Sequence, residues 1–166
     1  RGLEGTAAVA DLGADSSYLV VIREEEIKFV RRLGLGGAAI TQALVEAYGL
    51  GTLEAEKMKR ETTVALEEPG PGRLASMGEV IRSGVQELVR EVRRSLEFCS
   101  SQEGLVVERL ILCGGTAKLR GLAQLLESEL GMAVEVGQPQ LAFAPGVRFD
   151  PAFAVALGLA LREVAY

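Results

Sequence analysis

The segment from Val106 to Leu122 reads VVERLILCGGTAKLRGL and carries the strongest indication of the fold. Its apolar run predicts a strand over 106–113, the glycines at 114 and 115 predict a turn, and the residues that follow predict a helix over 119–130. Two explanations of the glycines stay open. They can serve only to turn the chain, or they can bring bare backbone close to a ligand, since glycine has no Cβ.

Length and composition indicate a single soluble globular domain. The chain has 166 residues, of which 48% are apolar and 25% are charged, and a chain of this length can bury a substantial core. The net charge of −5 offers no basic surface to nucleic acid. Histidine is absent, which excludes a His-containing zinc site and a His-dependent catalytic triad.

The two cysteines, Cys99 and Cys113, belong to no CxxC pair and lie in apolar stretches. We expect both to be reduced core residues of a cytoplasmic protein. No apolar run approaches the ~18–20 residues that a membrane span needs, so we expect no signal peptide and no direct membrane insertion. Because the sequence begins with Arg1 rather than Met, we expect it to be a fragment of a longer protein.

The remaining sequence predicts three strands, then three helices, before the strand and turn described above. A hairpin turn over 12–16 follows the first strand, and the short strands imply an antiparallel meander. A loop rich in Pro and Gly spans 67–72. The other predicted elements are strands 7–10, 17–22, 27–33 and 132–136, and helices 38–48, 52–61, 77–99 and 151–164. This order predicts an α/β fold in which helices flank a mixed sheet.

A carboxylate stands at the end of the first apolar strand, where the chain reads Asp11-Leu-Gly-Ala-Asp-Ser16. Backbone N–H groups in such a turn can surround phosphate oxygens, and a carboxylate can hold hydrated Mg²⁺. Ordinary hairpin chemistry explains Gly13 and Asp15 equally well. It does not explain why Asp11 ends an apolar strand, and this position favours a site at the end of the loop.

Two further segments could meet the same ligand. Cys113-Gly-Gly-Thr116 joins a strand to the start of a helix, where backbone can approach a flat or charged molecule. A tight turn is the alternative, and the Lys-Ser/Thr of a phosphate-binding P-loop is missing. On the helix over 52–61, Glu56, Lys59 and Arg60 lie three and four positions apart, with Thr63 one turn further. The alternative for these residues is a charged face in water.

The order of these features resembles the second half of the actin-like ATPases, whose lobes have a ribonuclease H-like fold. Within that superfamily the chain is most similar to the PilM family of type IV pilus assembly proteins, and next to the FtsA family of cell division proteins. The resemblance covers most of the chain from Thr6 to Glu163. It is carried by ADLGADSSYLVV, RRLGLGGAAITQAL, EAEKMKRE, VQELVREVRRSLEFCSSQ, RLILCGGTAKLRGLAQLLESELGMAVEV and FAVALGLALRE.

The resemblance implies a site for ATP and Mg²⁺. The hairpin after Asp11 corresponds to the second phosphate loop, and Cys113–Gly121 to the adenosine loop. The helix over 52–61 supplies side chains that touch ribose and adenine. The implied nucleotide-binding residues are Asp11, Gly13, Ser16, Gly36, Gly37, Glu56, Lys59, Arg60, Gly114, Gly115, Thr116 and Lys118, and Asp11 also holds Mg²⁺ through water.

The sequence departs from the family's pattern in ways that bear on activity. The first phosphate loop should precede Thr6 and does not, so the chain corresponds to the second lobe of a two-lobed protein. Ala14, Asp15 and Ala152 stand where chaperones have glycines or a carboxylate near the nucleotide. We therefore expect weak or no ATPase activity, and none from the fragment alone. The expected division is a core of 6–34 plus 106–166, with a helical subdomain over about 35–105 bordering the nucleotide cleft.

For function, the resemblance implies a cytoplasmic scaffold that couples ATP occupancy to assembly of the inner-membrane pilus platform. Its implied partner is the short cytoplasmic N-terminal segment of PilN, bound mainly through the first lobe, together with other platform proteins. Through them it would be peripheral to the inner membrane. Three alternatives stay open: the lobe of an FtsA-like protein, the lobe of an active ATPase, phosphotransferase or chaperone, and an interaction lobe that has lost nucleotide.

Overall fold

The computed structural model describes residues 5–64 and 73–162, with side chains in the second range described from Met77 onward. The predicted loop over 67–72 and the last residues of the predicted final helix, 163–164, lie outside the described residues. The elements are β1 (Thr6–Leu12), β2 (Ser17–Arg23), β3 (Glu26–Leu33), α1 (Gly37–Tyr48), α2 (Thr52–Glu61), α3 (Arg73–Glu103), β4 (Arg109–Cys113), a 3-10 turn (Gly115–Lys118), α4 (Leu122–Leu130), β5 (Ala133–Val136), a second 3-10 turn (Pro151–Phe153) and α5 (Ala154–Arg162).

The five strands form one mixed sheet in the order β3-β2-β1-β4-β5. β1, β2 and β3 pair antiparallel as the predicted meander, while β4 pairs parallel to β1 and β5 parallel to β4. This confirms the predicted α/β fold with a mixed sheet. In the β1–β4 pair, Asp11 lies opposite Cys113. The β1–β2 hairpin and the turn after β4 therefore leave the sheet side by side at the same edge.

One face of the sheet forms the hydrophobic core with α3 and α4. Alternating residues of β1 and β4 point to this face, as the two-residue period of a strand requires. The apolar positions of α3 recur every three or four residues and are buried, as the sequence predicts. Fully buried examples are Ala8, Leu110, Leu112, Met77, Ile81, Leu122 and Leu125.

A layer of helices extends from this core toward the hairpin edge. α1 packs against both α2 and α3. The α1–α3 contact is close, because a Cβ at Gly84 would lie 3.3 Å from the Ile40 side chain. After α2, the chain returns to the segment before α4, where the Val64 backbone N–H donates to the Arg120 carbonyl at 2.8 Å. α2 is thereby held beside the turn that follows β4.

Several predicted boundaries were wrong. The predicted helix over 119–130 begins only at Leu122, because Leu119 is extended and Gly121 has φ +81°. The glycines at 114 and 115 lead into a 3-10 turn rather than into an α-helix. β4 begins three residues later than predicted, and α3 is longer at both ends. The predicted final helix is divided into a 3-10 turn and α5.

The opposite face of the sheet has an apolar central row and is only partly covered. The register aligns Val30, Val20, Val9 and Ile111 across four strands. α5 lies over the β4–β5 side and leaves a cavity of about 580 Å³ beneath it. Its own apolar side chains remain largely in solvent, and Leu159 is 62% exposed. Among the described residues, no helix is both long and apolar enough to cross a bilayer.

Candidate functional site

A cavity of about 710 Å³ opens at the edge of the sheet where the hairpin and the turn after β4 meet. Its size lies within the range of about 300–1,000 Å³ that is usual for small-molecule sites. Five segments line it: the hairpin, the first turns of α1, one face of α2, the 3-10 turn after β4, and Ala152. Of the twelve predicted site residues, seven line this cavity: Gly37, Glu56, Lys59, Arg60, Gly115, Thr116 and Lys118.

Hydrogen bonds to the hairpin join three of these segments: the hairpin itself, the start of α1 and the turn after β4. The Gly13 carbonyl accepts from the Gly37 backbone N–H at 2.9 Å and from the Thr116 hydroxyl at 2.9 Å. The Ala38 N–H donates to the Ala14 carbonyl at 2.8 Å. Two N–H groups at the start of α1 are therefore satisfied within the protein. The Gly13 carbonyl thus fixes the distance between two walls of the cavity, the start of α1 and the turn after β4.

Gly36 and Gly37 permit this close packing. A Cβ at Gly36 would lie 2.7 Å from the Gly13 carbonyl oxygen, and a Cβ at Gly37 would collide with the Thr116 hydroxyl. Neither glycine has a left-handed backbone. The need for glycine here comes from the approach of α1 to the hairpin and to the turn after β4.

The two glycines after β4 have different surroundings. Gly114 has φ +85°, and a Cβ there would lie 2.5 Å from both the Asp11 carboxylate and the Leu12 carbonyl oxygen. Its N–H donates to the Pro151 carbonyl at 2.9 Å. Gly115 is exposed on the cavity wall, its φ lies outside the left-handed region, and a Cβ there would meet no atom within 4 Å. The turn therefore requires glycine at position 114 but not at position 115.

The charged residues of α2 form a network with α1. The Lys59 ammonium donates to Glu56 Oε2 at 2.7 Å, to Thr41 Oγ1 at 2.8 Å and to the Gly37 carbonyl at 3.0 Å. The Thr41 hydroxyl lies 2.6 Å from the same Glu56 oxygen. Burial raises the pKa of Glu56, but the hydrogen bonds from Lys59 and Thr41 outweigh it and bring the pKa to about 2. Glu56 is therefore an ionised carboxylate at neutral pH.

Two other cations lie at the mouth of the cavity. Arg60 is largely exposed, and its Nε donates to Glu56 Oε1 at 3.1 Å. The Lys118 ammonium donates to Asp150 Oδ2 at 2.7 Å, and Asp150 Oδ1 accepts from the Ala152 N–H. The hydrogen bond from Lys118 lowers the pKa of Asp150. This ion pair joins the turn after β4 to the segment before α5.

Asp11 lies at the end of β1, outside the cavity lining. Burial, and then the Asp11 charge, raise the pKa of the neighbouring Cys113 thiol to about 11, so the thiol is protonated. The described residues contain no group of three His, Cys, Asp or Glu side chains suited to a metal ion. A single carboxylate nonetheless suits Mg²⁺ that keeps most of its water and shares phosphate oxygens. The water-mediated role of Asp11 stays a prediction.

The other predicted residues lie around the cavity rather than in its lining. Gly13, Gly36 and Gly114 belong to the backbone contacts described above, and Ser16 is half-buried just before β2. Thr63 also lies outside the lining and contacts the Arg120 carbonyl across 3.4 Å. Two residues of the site, Thr41 and Asp150, were not among those predicted from the sequence. An Asp before Pro at a helix start is a recognisable capping signal, but it does not reveal Lys118 as a partner.

Comparison with known proteins agrees with this fold. The family model described as type IV pilus assembly protein PilM matches residues 1–164. A solved structure titled PilM-PilN type IV pilus biogenesis complex is 38% identical and superimposes with a TM-score of 0.81, covering 98% of this chain and 47% of that chain. MreB5 of Spiroplasma citri bound to ADP has the same fold, with 14% identity, a TM-score of 0.71, and coverage of 98% and 54%.

A curated relative, cell division protein FtsA of Rhizobium meliloti (strain 1021), is 24% identical over 176 residues, which cover 93% of this chain and 39% of FtsA. The chain therefore spans less than half of FtsA and about half of the two structures. The family match extends over nearly the whole sequence, and the superposition extends over nearly the whole fold. The chain belongs to the PilM family of type IV pilus assembly proteins and has the actin-like ATPase fold.

Proposed function

We propose that this chain is the ATP-binding lobe of a two-lobed, PilM-like scaffold for assembly of the type IV pilus inner-membrane platform. The observation that carries the proposal is the cavity at the hairpin edge, which brings together seven residues that the sequence assigned to nucleotide from three separate segments. Within this lobe, we propose a sheet core of 6–34 plus 106–166 and a helical subdomain over about 35–105.

The chemistry of the cavity suits a nucleoside with its phosphates directed toward the hairpin. Ala38, Leu53 and Leu119 supply apolar wall, and Gly115 leaves room for a flat ring against the backbone. The Glu56 carboxylate can accept from hydroxyl or amino groups. The resemblance identifies the hairpin with the second phosphate loop, so we place the phosphates near the hairpin and the neutral part of the nucleotide near Glu56. Bound Mg²⁺, held through water by Asp11, would neutralise part of their charge.

Two observations support a second lobe. First, the two solved structures that this chain matches are about twice as long as the chain itself. The outer face of the sheet and α5 carry exposed apolar side chains, which a second lobe would cover. A cleft between two lobes would then complete the site. The carboxylate that lines the cavity, Glu56, is held by Lys59 and Thr41 and has a pKa of about 2, so it is a weak general base, and this supports a scaffold with weak or no ATPase activity.

For partners, we propose the cytoplasmic N-terminal segment of a PilN-like protein, bound mainly through the first lobe. The support is the relative at 38% identity, whose structure is titled a PilM-PilN complex. Other platform proteins would join the assembly and hold this cytoplasmic protein at the inner membrane.

Thermal unfolding of the full-length protein with Mg·ATP, measured beside phosphate release, tests the proposal. A ligand at one hundred times its Kd stabilises the folded state by about 2.7 kcal/mol, so saturating Mg·ATP should raise the Tm by several degrees while phosphate release stays slow. Rapid phosphate release would instead support an active ATPase. An unchanged Tm would support an interaction lobe without nucleotide and would contradict the proposal.

A further inference from the structure

Lys59 has no N–H left for a ligand. An ammonium group has three donors, and the three acceptors within reach are Glu56 Oε2, Thr41 Oγ1 and the Gly37 carbonyl, at 2.7, 2.8 and 3.0 Å. The residue is only 7% exposed although it borders the cavity. A ligand could recruit the ammonium only by displacing one of these acceptors.

Glu56, unlike Lys59, keeps hydrogen-bonding capacity for a ligand. Its Oε2 is engaged by Lys59 and Thr41, which hold the carboxylate from the protein side. Its Oε1 accepts from the exposed Arg60 side chain and has capacity for a further hydrogen bond, and Glu56 lines the cavity. The side chain is about one third exposed. Glu56 is therefore the member of this network that can accept a hydrogen bond from a ligand.

We infer that Lys59, together with Thr41, is a positioning residue that acts on the nucleotide only through the Glu56 carboxylate. The inference rests on the proposed function of the cavity. Lys59 fixes the carboxylate directly and through the Thr41 hydroxyl. The neutral, hydrogen-bonding part of the nucleotide then meets Glu56 rather than the Lys59 ammonium.

A double-mutant cycle in the full-length protein tests this inference. Calorimetry with Mg·ATP compares wild type, Lys59→Met, Glu56→Gln and the double variant. We expect Lys59→Met to weaken binding about tenfold in the wild-type background and to have no further effect in the Glu56→Gln background. Lys57→Met is the matched control, because Lys57 is exposed on the same helix and lies outside the cavity, and its affinity should equal that of wild type.

The alternatives give different results. If Lys59 contacts the nucleotide directly, or if its loss damages the whole site, Lys59→Met weakens binding by a similar factor in both backgrounds, and the inference is overturned. If Lys59→Met does not fold by circular dichroism, Thr41→Val replaces it in the same cycle, with the same two outcomes. Absence of Mg·ATP binding by wild type would instead remove the proposed function on which the inference rests.

Discussion

At the scale of single residues, Gly114 and Gly115 are adjacent yet are constrained by different parts of the structure. Gly114 has a left-handed backbone and no space for a Cβ between Asp11 and Leu12. Gly115 has neither constraint. A residue whose glycine is not needed by the fold, and which lies on a cavity wall, is a strong candidate for ligand contact.

We predict that Gly114→Ala lowers the free energy of unfolding by more than 1 kcal/mol, because alanine is strained at positive φ and its Cβ has no room. Gly115→Ala should change it by less than about 0.5 kcal/mol, as is usual for open surface positions. Urea denaturation of the full-length protein measures both. Equal losses for the two variants would mean that Gly115 is also required by the turn.

The second prediction concerns pH and Glu56. Its pKa is about 2 in the folded protein, below the ordinary 4.5, so the carboxylate stabilises the fold above pH 4.5 and this contribution is lost as the pH falls toward 2. The stability difference between wild type and Glu56→Gln should therefore shrink over that window. Unfolding free energies measured at several pH values check it, and a difference independent of pH would contradict the network of Lys59 and Thr41.

Some site residues were within reach of sequence reasoning and others were not. Glu56 and Lys59 are on one helix, so their proximity follows from helical spacing alone. Thr41 joins them only because α1 packs beside α2, and no local pattern predicts that contact. Lys118 and Asp150 are 32 residues apart in sequence, and their ion pair depends on the path of the chain before α5.

At the scale of elements, the site depends on how the hairpin, α1 and the turn after β4 are joined. The Thr116 hydroxyl provides the bond from the turn to the Gly13 carbonyl, and Thr116 is buried. A hydrogen bond of this kind contributes about 1 kcal/mol to stability. Its larger effect is geometric, because it sets the position of Gly115 relative to α1.

We predict that Thr116→Val lowers the free energy of unfolding by about 1 kcal/mol and weakens Mg·ATP binding, since the shape is kept while the bond to the hairpin is lost. Ser101→Ala is the control, because it also removes one hydroxyl, but that hydroxyl is exposed and lies outside the cavity. Urea denaturation and calorimetry compare the two variants. Equal losses of stability and affinity for the two variants would contradict the hairpin connection.

The element order was predictable because apolar spacing distinguishes strands from helices. Short apolar runs identified β1 and β2, and the three- to four-residue spacing identified α3. The start of α4 was not predictable, because residues 117–120 (Ala-Lys-Leu-Arg) are good helix formers and only the backbone shows a 3-10 turn followed by left-handed Gly121. The pairing of β4 with β1 requires the whole topology, since about one hundred residues separate them.

At the scale of the whole molecule, this chain has a covered face and an uncovered one. The inner face of the sheet is buried under α3 and α4, while the outer face and α5 expose Val30, Val155, Leu159 and other apolar side chains. The family match indicates the fold and the pilus system, and the chain spans about half the length of the two solved structures it matches.

We predict that the 166-residue chain alone binds Mg·ATP only with high-micromolar to millimolar affinity, about −4 to −6 kcal/mol. One lobe offers one wall of the proposed cleft, so much of the nucleotide would stay in water. Calorimetry on this chain and on the full-length protein, at matched salt and Mg²⁺, gives the comparison. Low-micromolar affinity for the chain alone would show that this lobe is a complete site and would remove the argument for a two-lobed cleft.

We propose that a nucleotide lies against the backbone at Gly115, and the Mg·ATP affinity of Gly115→Ala in the full-length protein tests this placement. A methyl group here projects into open space where the ligand is proposed to lie. We predict that the affinity falls by about tenfold or more, which is about 1.4 kcal/mol, while the free energy of unfolding stays close to that of wild type. Unchanged affinity in a folded variant would contradict the account, and the adenosine-loop assignment would have to be abandoned.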